Sequence, residues 1–264
     1  MKDVETQAIE YHSRHVGLFE RRYDVYRENP YGSVFSYGRM KIEQALEEML
    51  RTRPAPQRIL DAGCGTGFNL ARFRAMGHRA VGLDASADMS ARAKRAVPEC
   101  PIFRGELGAI PCRDRSFDVV VSIEVIRYLD RLEPALREVW RVLDDGGVCF
   151  ITAAPLMAAS GYGLYNTLCS RIPGLPFPKL PQRFDTSLGL RRAFAAAGFS
   201  AISVTGRFFG PFIYLEKLAP TLLPGALRRW ERTDDRVSDL PGLRDMATHL
   251  IVTARKGAEQ ERGV

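Results

Sequence analysis

The stretch Ile59-Leu60-Asp61-Ala62-Gly63-Cys64-Gly65-Thr66-Gly67-Phe68 leaves this chain few folds to choose from. A short apolar strand ends in an acid, three glycines follow at alternate positions, and a helical pattern begins at once. Glycine lets a backbone turn sharply and approach a ligand where a Cβ would stand in the way. The helix that follows presents unpaired N–H groups to whatever occupies the turn. Such a strand–turn–helix belongs to an open, mostly parallel sheet, and a nucleotide-like ligand is its natural occupant.

The spacing of the glycines narrows the ligand. A dinucleotide fingerprint reads G-x-G-x-x-G and seats a pyrophosphate on the helix N-terminus. Here Phe68 stands three residues after Gly65, so the third glycine, Gly67, arrives one residue early. Asp61 would repel a pyrophosphate but suits a ligand that carries an ammonium and no phosphate. S-adenosylmethionine is such a ligand. The D-x-G-x-G-x-G pattern resembles motif I of the class I S-adenosylmethionine-dependent methyltransferases.

The next motifs follow in the order that resemblance requires. A second strand, Ala80-Val81-Gly82-Leu83-Asp84, ends in an acid about 20 residues after Asp61, where a carboxylate can accept from both ribose hydroxyls. Ser86 reads as the N-cap of a helix over 87–96 that Pro98 closes. Ile102 to Pro111 is similar to the family's segment after the third strand, with Glu106 where Asp is more common. Phe117 to Glu124 reads as a buried fourth strand, followed by Tyr128-Leu129, a helix over 134–143 and a Gly146-Gly147 turn into a strand over 148–153. Many relatives have His where Tyr128 stands and Glu where Arg127 stands, which removes one candidate base. The resemblance covers 57–154 closely and 185–256 more loosely.

It implies a Rossmann-like α/β fold: a seven-stranded, mostly parallel sheet with an antiparallel last strand and helices on both faces. A helical N-terminal cap over 1–57 precedes a cofactor-binding domain over 58–256, with lid segments near 155–185 and 206–247 and a flexible tail over 257–264. The implied cofactor is S-adenosylmethionine, with S-adenosylhomocysteine as product. Asp61, Gly63, Cys64, Gly65 and Gly67 would hold its methionine end, and Asp84, with Ala85 and Met89 nearby, its ribose. Glu106 and Leu107 would meet the adenine, and Ser122, Ile123 and Glu124 would floor the sulfonium. For a general base the candidates are His12, His15, Tyr128 and His249. His249, at the start of the last strand, also reads as a structural residue.

Composition excludes several other classes. The 264 residues are 45% apolar and 26% charged, ordinary for a globular domain with additions. The net charge of +7 is spread along the chain without a dense basic block or aromatic–basic interleaving, which argues against a nucleic-acid partner. Cysteines 64, 100, 112, 149 and 169 show no C-x-x-C or Cys/His zinc spacing, so no metal is expected. No signal peptide is visible, and no apolar run approaches the roughly 18 residues of a membrane span. A cytoplasmic location is the default.

The flanking segments carry the acceptor question. Tyrosines 23, 26, 31 and 37 lie within the N-terminal region, and 155–185 is rich in Pro and Gly, as lids and binding loops often are. Segment 206–247 is apolar for a connection, with Phe208, Phe209, Phe212 and Trp230 beside arginines 228, 229 and 232. One reading packs these helices over the sheet edge. The other makes them an interfacial surface for a membrane or a lipid-like substrate. The functional expectation is methyl transfer to O, N or C of a small-molecule acceptor. The alternatives are a methyltransferase for lipid or quinone-like intermediates at a membrane surface and a non-catalytic S-adenosylmethionine-binding protein. A nucleotide-dependent oxidoreductase is disfavoured by Gly67 and Asp61. Oligomeric state is unreadable.

Overall fold

Two runs decide the centre of the sheet. Ile59-Leu60 and Val119-Val120-Val121 are apolar without alternation, which suits strands covered on both faces, and all five are fully buried. In the computed structural model, which describes residues 3–169 and 182–257, they form β1 (Arg58–Ala62) and β4 (Phe117–Ser122), paired in parallel with Ile59 opposite Val119. Strands β2 (Arg79–Asp84), β3 (Ile102–Arg104), β5 (Leu143–Ala153), β6 (Phe199–Phe209) and β7 (Ala247–Lys256) complete a seven-stranded sheet ordered β3-β2-β1-β4-β5-β7-β6. β7 alone runs antiparallel to its neighbours, β5 and β6. The strand order reverses between β1 and β4, and a crevice opens beyond the carboxyl ends of strands at such a point.

Helices cover both faces. On one, α3 (Val34–Arg51), α4 (Phe68–Ala75) and α5 (Ala87–Ala96) place Ile42, Leu46, Leu70, Phe73 and Ala93 against Ile59, Val119 and Val121. On the other, α6 (Leu132–Val142) and α8 (Ser187–Ala196) bring Leu136, Val139, Leu190 and Phe194 onto Leu60, Val120 and Val252. Helix starts carry the expected caps: Ser86 Oγ accepts from Met89 N–H, and Thr186 accepts from Gly189 N–H.

The N-terminal region is helical, as expected, with breaks at His15 and Asn29 separating α1 (Val4–Arg14), α2 (Val16–Glu28) and α3. Two expectations need correction. The sequence suggests last strands over 201–205 and 250–254; both extend well beyond those bounds, because they pair with each other along most of their length. The connection between them therefore starts after Phe209 rather than at 206. It contains α9 (Phe212–Leu218), a 3-10 turn (Pro220–Leu222) and α10 (Leu223–Ser238). Within 155–185, α7 spans Tyr162–Cys169; residues 170–181 of that segment and the tail beyond 257 lie outside the described residues.

A buried carboxylate anchors helix α10. Asp234, fully buried, accepts from Phe209 N–H at 2.8 Å, Ser238 Oγ at 2.7 Å and the Tyr37 hydroxyl at 3.0 Å. Those bonds close a small core of Tyr37, Met40, Phe208, Leu223 and Leu227 between α3, the end of β6 and α10. Asp234→Ala would leave three buried donors without an acceptor. We expect it to lower unfolding free energy by roughly 3 kcal/mol in urea titration, against little change for exposed Asp24→Ala.

Candidate functional site

The glycine turn is tied to the second strand first through backbone. Gly63 N–H and Cys64 N–H both donate to the Leu83 carbonyl, at 2.7 and 3.0 Å. Gly63 has φ +90°, and a Cβ there would overlap the side chain of Val125. Gly65 N–H then donates to Asp84 Oδ2 at 2.8 Å, while Ser86 N–H donates to Asp84 Oδ1 at 2.9 Å. Two backbone amides thus aim the Asp84 carboxylate from opposite sides. Burial raises its pKa, and those two hydrogen bonds oppose the rise.

Above this turn lies a cavity of about 990 Å³ counted to its open mouth. Of the residues expected from sequence, Gly63, Gly65, Asp84, Ala85, Met89, Glu106, Leu107, Ile123 and Glu124 line it. Cys64, Gly67 and Ser122 stand behind the wall. The Cys64 thiol packs in the core with its pKa raised by burial, and Ser122 Oγ donates to the Ala62 carbonyl. Asp61 is fully buried, and neither carboxylate oxygen has a hydrogen-bond partner. Burial pushes it up to about 7 against the opposing pull of Arg39. Among the described residues no cluster suited to a metal ion occurs.

The four candidate bases separate. His12 and Tyr128 line the cavity, with ring centroids 5.1 Å apart; His15 and His249 do not. His12 Nδ1 lies 2.7 Å from the Ala8 carbonyl, which can only accept, so the neutral ring carries its proton there and leaves Nε2 as the lone-pair nitrogen. Burial lowers the His12 pKa, which favours that neutral form. Burial pushes the Tyr128 phenol up to about 12. His15 instead bonds the Tyr11 carbonyl and stacks on that ring.

His249 reaches the cavity through Glu124. Its Nδ1 lies 3.3 Å from Glu124 Oε1, and Arg127 pairs with the other carboxylate oxygen. Glu124 has φ +63°, rare for a residue with a side chain, and its N–H donates to Thr152 Oγ1 at 2.8 Å. Burial alone would raise the Glu124 pKa, but Arg127 and His249 outweigh it and hold the carboxyl well below the ordinary range. The floor of the cavity is a fixed anion.

The sequence 60–151 matches a family model described as a methyltransferase domain. Demethylmenaquinone methyltransferase of Thermus thermophilus is 32% identical over 202 residues, 68% of this chain and 88% of that protein. The chain belongs to the S-adenosylmethionine-dependent methyltransferases. Other relatives match more narrowly. Malonyl-[acyl-carrier protein] O-methyltransferase of Erwinia billingiae is 36% identical over 36% of this chain and 38% of its own length. The chain thus spans under half the length of several curated relatives that it matches. The fold is that of solved family members. The magnesium protoporphyrin IX methyltransferase of Synechocystis PCC 6803, solved with bound S-adenosylhomocysteine, superimposes with a TM-score of 0.62 at 14% identity, over 97% of this chain and 100% of that one. A Thermotoga maritima methyltransferase gives 0.62 at 20% identity, over 92% and 97%.

Within this methyltransferase the wall also takes residues that sequence reading did not single out. Glu5, Ala8 and Ile9 join His12 on one face of α1, and Phe19 comes from α2 beside Tyr23, one of the tyrosines noted in the sequence. Their spacing, i, i+3, i+4 and i+7, is the signal that could have found them. Helix α1 is tied across the site: Ser13 and Ser86 hydroxyls share a hydrogen bond of 2.8 Å, and Glu5 accepts from Asp130 N–H at 3.2 Å.

The two glycines give opposite expectations. A Cβ on Gly65 would meet nothing within 4 Å of the protein and would enter the cavity, at a φ of +54°. Gly65→Ala should therefore retain the fold at a cost of about 1 kcal/mol and weaken S-adenosylhomocysteine binding at least tenfold. Gly63→Ala should lower the melting temperature by more, because Val125 must move. Thermal unfolding and calorimetry on both variants read the contrast.

Proposed function

We propose that this protein transfers a methyl group from S-adenosylmethionine to O, N or C of a small-molecule acceptor that is neutral or cationic. The observation carrying the reading is the Asp84 carboxylate, fixed by Gly65 and Ser86 at the edge of a cavity opened by the glycine turn. The cofactor, when bound, supplies a methyl carbon already activated by a sulfonium. What the chain must add is alignment, exclusion of water and, for some acceptors, removal of a proton; alignment alone can supply about 7–11 kcal/mol in favourable cases.

Residues present suit that ligand. The Asp84 carboxylate keeps lone pairs for ribose hydroxyls, and Glu106 and Leu107 offer an acceptor and an apolar surface for adenine. The unpartnered carboxylate of Asp61 fits an ammonium at the turn, reached through water. Helices α1 and α2 close the cavity on the side away from the sheet. His12, with its bare Nε2, is the base that the geometry favours where the acceptor has a proton to lose. Glu5, Asp84, Glu106 and Glu124 line the cavity, and no lysine or arginine does so among the described residues, which disfavours an anionic acceptor.

A second reading, a lipid or quinone-like acceptor, is supported by the likeness to a demethylmenaquinone methyltransferase over two thirds of the chain. A protein that binds the cofactor without turnover would match neither. No helix among the described residues is long and apolar enough to cross a membrane.

Calorimetric titration with S-adenosylhomocysteine, with NAD and NADP as controls, tests the cofactor. We expect micromolar affinity for the first alone, and a loss of roughly 1–3 kcal/mol in Asp84→Ala; dinucleotide binding would overturn the reading. Asp61 adds a proton signature. Its pKa in the ligand-free fold, about 7, lies above the usual 3.8, so this group's contribution to stability falls as pH rises from about 4 through 7. An ammonium brought near it favours the ionised form. Binding at pH 7 should release up to about half a proton, read as a dependence of heat on buffer ionisation, and Asp61→Asn should abolish that release.

A further inference from the structure

The connection between β6 and β7 presents a face that the site does not use. Leu218, at the end of α9, is 85% exposed, and Leu222, at the end of the 3-10 turn that follows the break at Ala219, is 63% exposed. Leu222 has helical backbone angles and leads directly into α10. Positions 222, 229, 232 and 236 recur at the i, i+7, i+10, i+14 spacing of one helix face, and Arg229, Arg232 and Arg236 are all exposed. The face thus begins in two leucines and continues as a line of guanidinium groups, with Lys217 exposed beside Leu218.

The four acids of α9 and α10 are each paired elsewhere, Asp235 while half-exposed, and Asp239 just beyond α10 pairs with Arg244. Glu216 accepts from Val34 N–H, Glu231 from the Tyr31 hydroxyl, and Asp234 from Tyr37; Asp235 pairs with Lys41 at 2.8 Å. All four are engaged by the N-terminal helical region. The outer face is therefore cationic, in a chain whose net charge is already +7. β6 runs parallel to β5, since both are antiparallel to β7, so α9 leaves the sheet at the carboxyl edge on which the cavity opens. The Tyr214 hydroxyl, donating to the Ser160 carbonyl at 2.9 Å, fixes α9 to the segment after β5.

We infer that this face docks on an anionic lipid membrane, with Leu218 and Leu222 entering the interface and Arg229, Arg232 and Arg236 meeting acidic headgroups. Apolar side chains next to a line of arginines suit that boundary. A nucleic acid would be served by the arginines but would leave two exposed leucines unused. Phe208 and Trp230 take no part: Phe208 is buried, and the Trp230 indole donates to the Phe209 carbonyl at 2.9 Å. The inference is independent of which acceptor is methylated, and of whether the protein methylates at all.

The test is cosedimentation of the full chain with vesicles of phosphatidylcholine alone or mixed with equal parts phosphatidylglycerol. Binding is expected to the mixed vesicles only. It should fall roughly tenfold or more in Arg229→Glu/Arg232→Glu and, separately, in Leu218→Ser/Leu222→Ser. Melting temperature and S-adenosylhomocysteine affinity should stay as in the parent, which separates a lost surface from a lost fold. Three results would overturn the assignment. One is no binding to mixed vesicles. Another is equal binding by both variants. The third is a dimer of the parent, seen by light scattering, that the leucine variant dissociates, since the face would then be covered by a second copy.

Discussion

The Asp84 carboxylate organises this site, because it is where three otherwise separate pieces of backbone meet. It ends β2, takes an N–H from the glycine turn after β1 and takes another from the start of α5. A half-buried carboxylate is costly unless hydrogen-bonded, and here the bonds come from backbone that cannot rotate away. The same contacts set the turn itself. Gly63 and Cys64 already hang from the Leu83 carbonyl, so the turn is stitched to the second strand at two successive residues. Its geometry is inherited from the β1–β2 pairing rather than from a loop that must be ordered on binding.

The opposite wall is built on another logic. Glu124 is held in a left-handed conformation, worth about 1 kcal/mol of strain, and three side chains fix it: Thr152, whose hydroxyl meets both its N–H and its carboxylate, Arg127 and His249. The last of these comes from β7, the antiparallel strand. His249 fits because Gly38 of α3 has no Cβ; one there would come within 2.7 Å of the imidazole Nε2. The N-terminal helices therefore shape the floor as well as the roof, and the inserted strand is part of the site although no residue of β7 lines the cavity.

What the sequence disclosed divides along the same line. The glycine turn, Asp84, the Ser86 cap and the valine run of β4 were legible because each is a local pattern whose meaning depends on a few neighbours. Helix α5 matches its expected bounds, since Ser86 starts it and Pro98 follows its end. β6 and β7 were read too short because their length is set by pairing with each other across the connection between them. The aromatics around the connection left two readings open for a related reason. Phe208 has neighbours such as Tyr37 and Leu227, contributed by α3 and α10, and neither is adjacent in sequence. The α1 face with Glu5, Ala8, Ile9 and His12 carries a helical period, yet nothing local says that this face meets a cavity rather than a core.

Family membership and acceptor identity differ in legibility for a physical reason. The cofactor wall is made by consecutive βα turns, so its residues are ordered in sequence as they are ordered in space. The wall opposite the glycine turn is assembled from α1, α2 and the end of β4, with β5 and β7 behind it, and a change in any one of these re-shapes it without touching that turn. Charge survives that reshuffling better than shape does. Arg127 and His249 approach Glu124 from outside the cavity and hold its carboxyl below the ordinary range, while Thr152 and Arg127 donate to it. A carboxylate with lone pairs to spare at a cavity wall favours a hydrogen-bond donor on whatever group comes to lie against it.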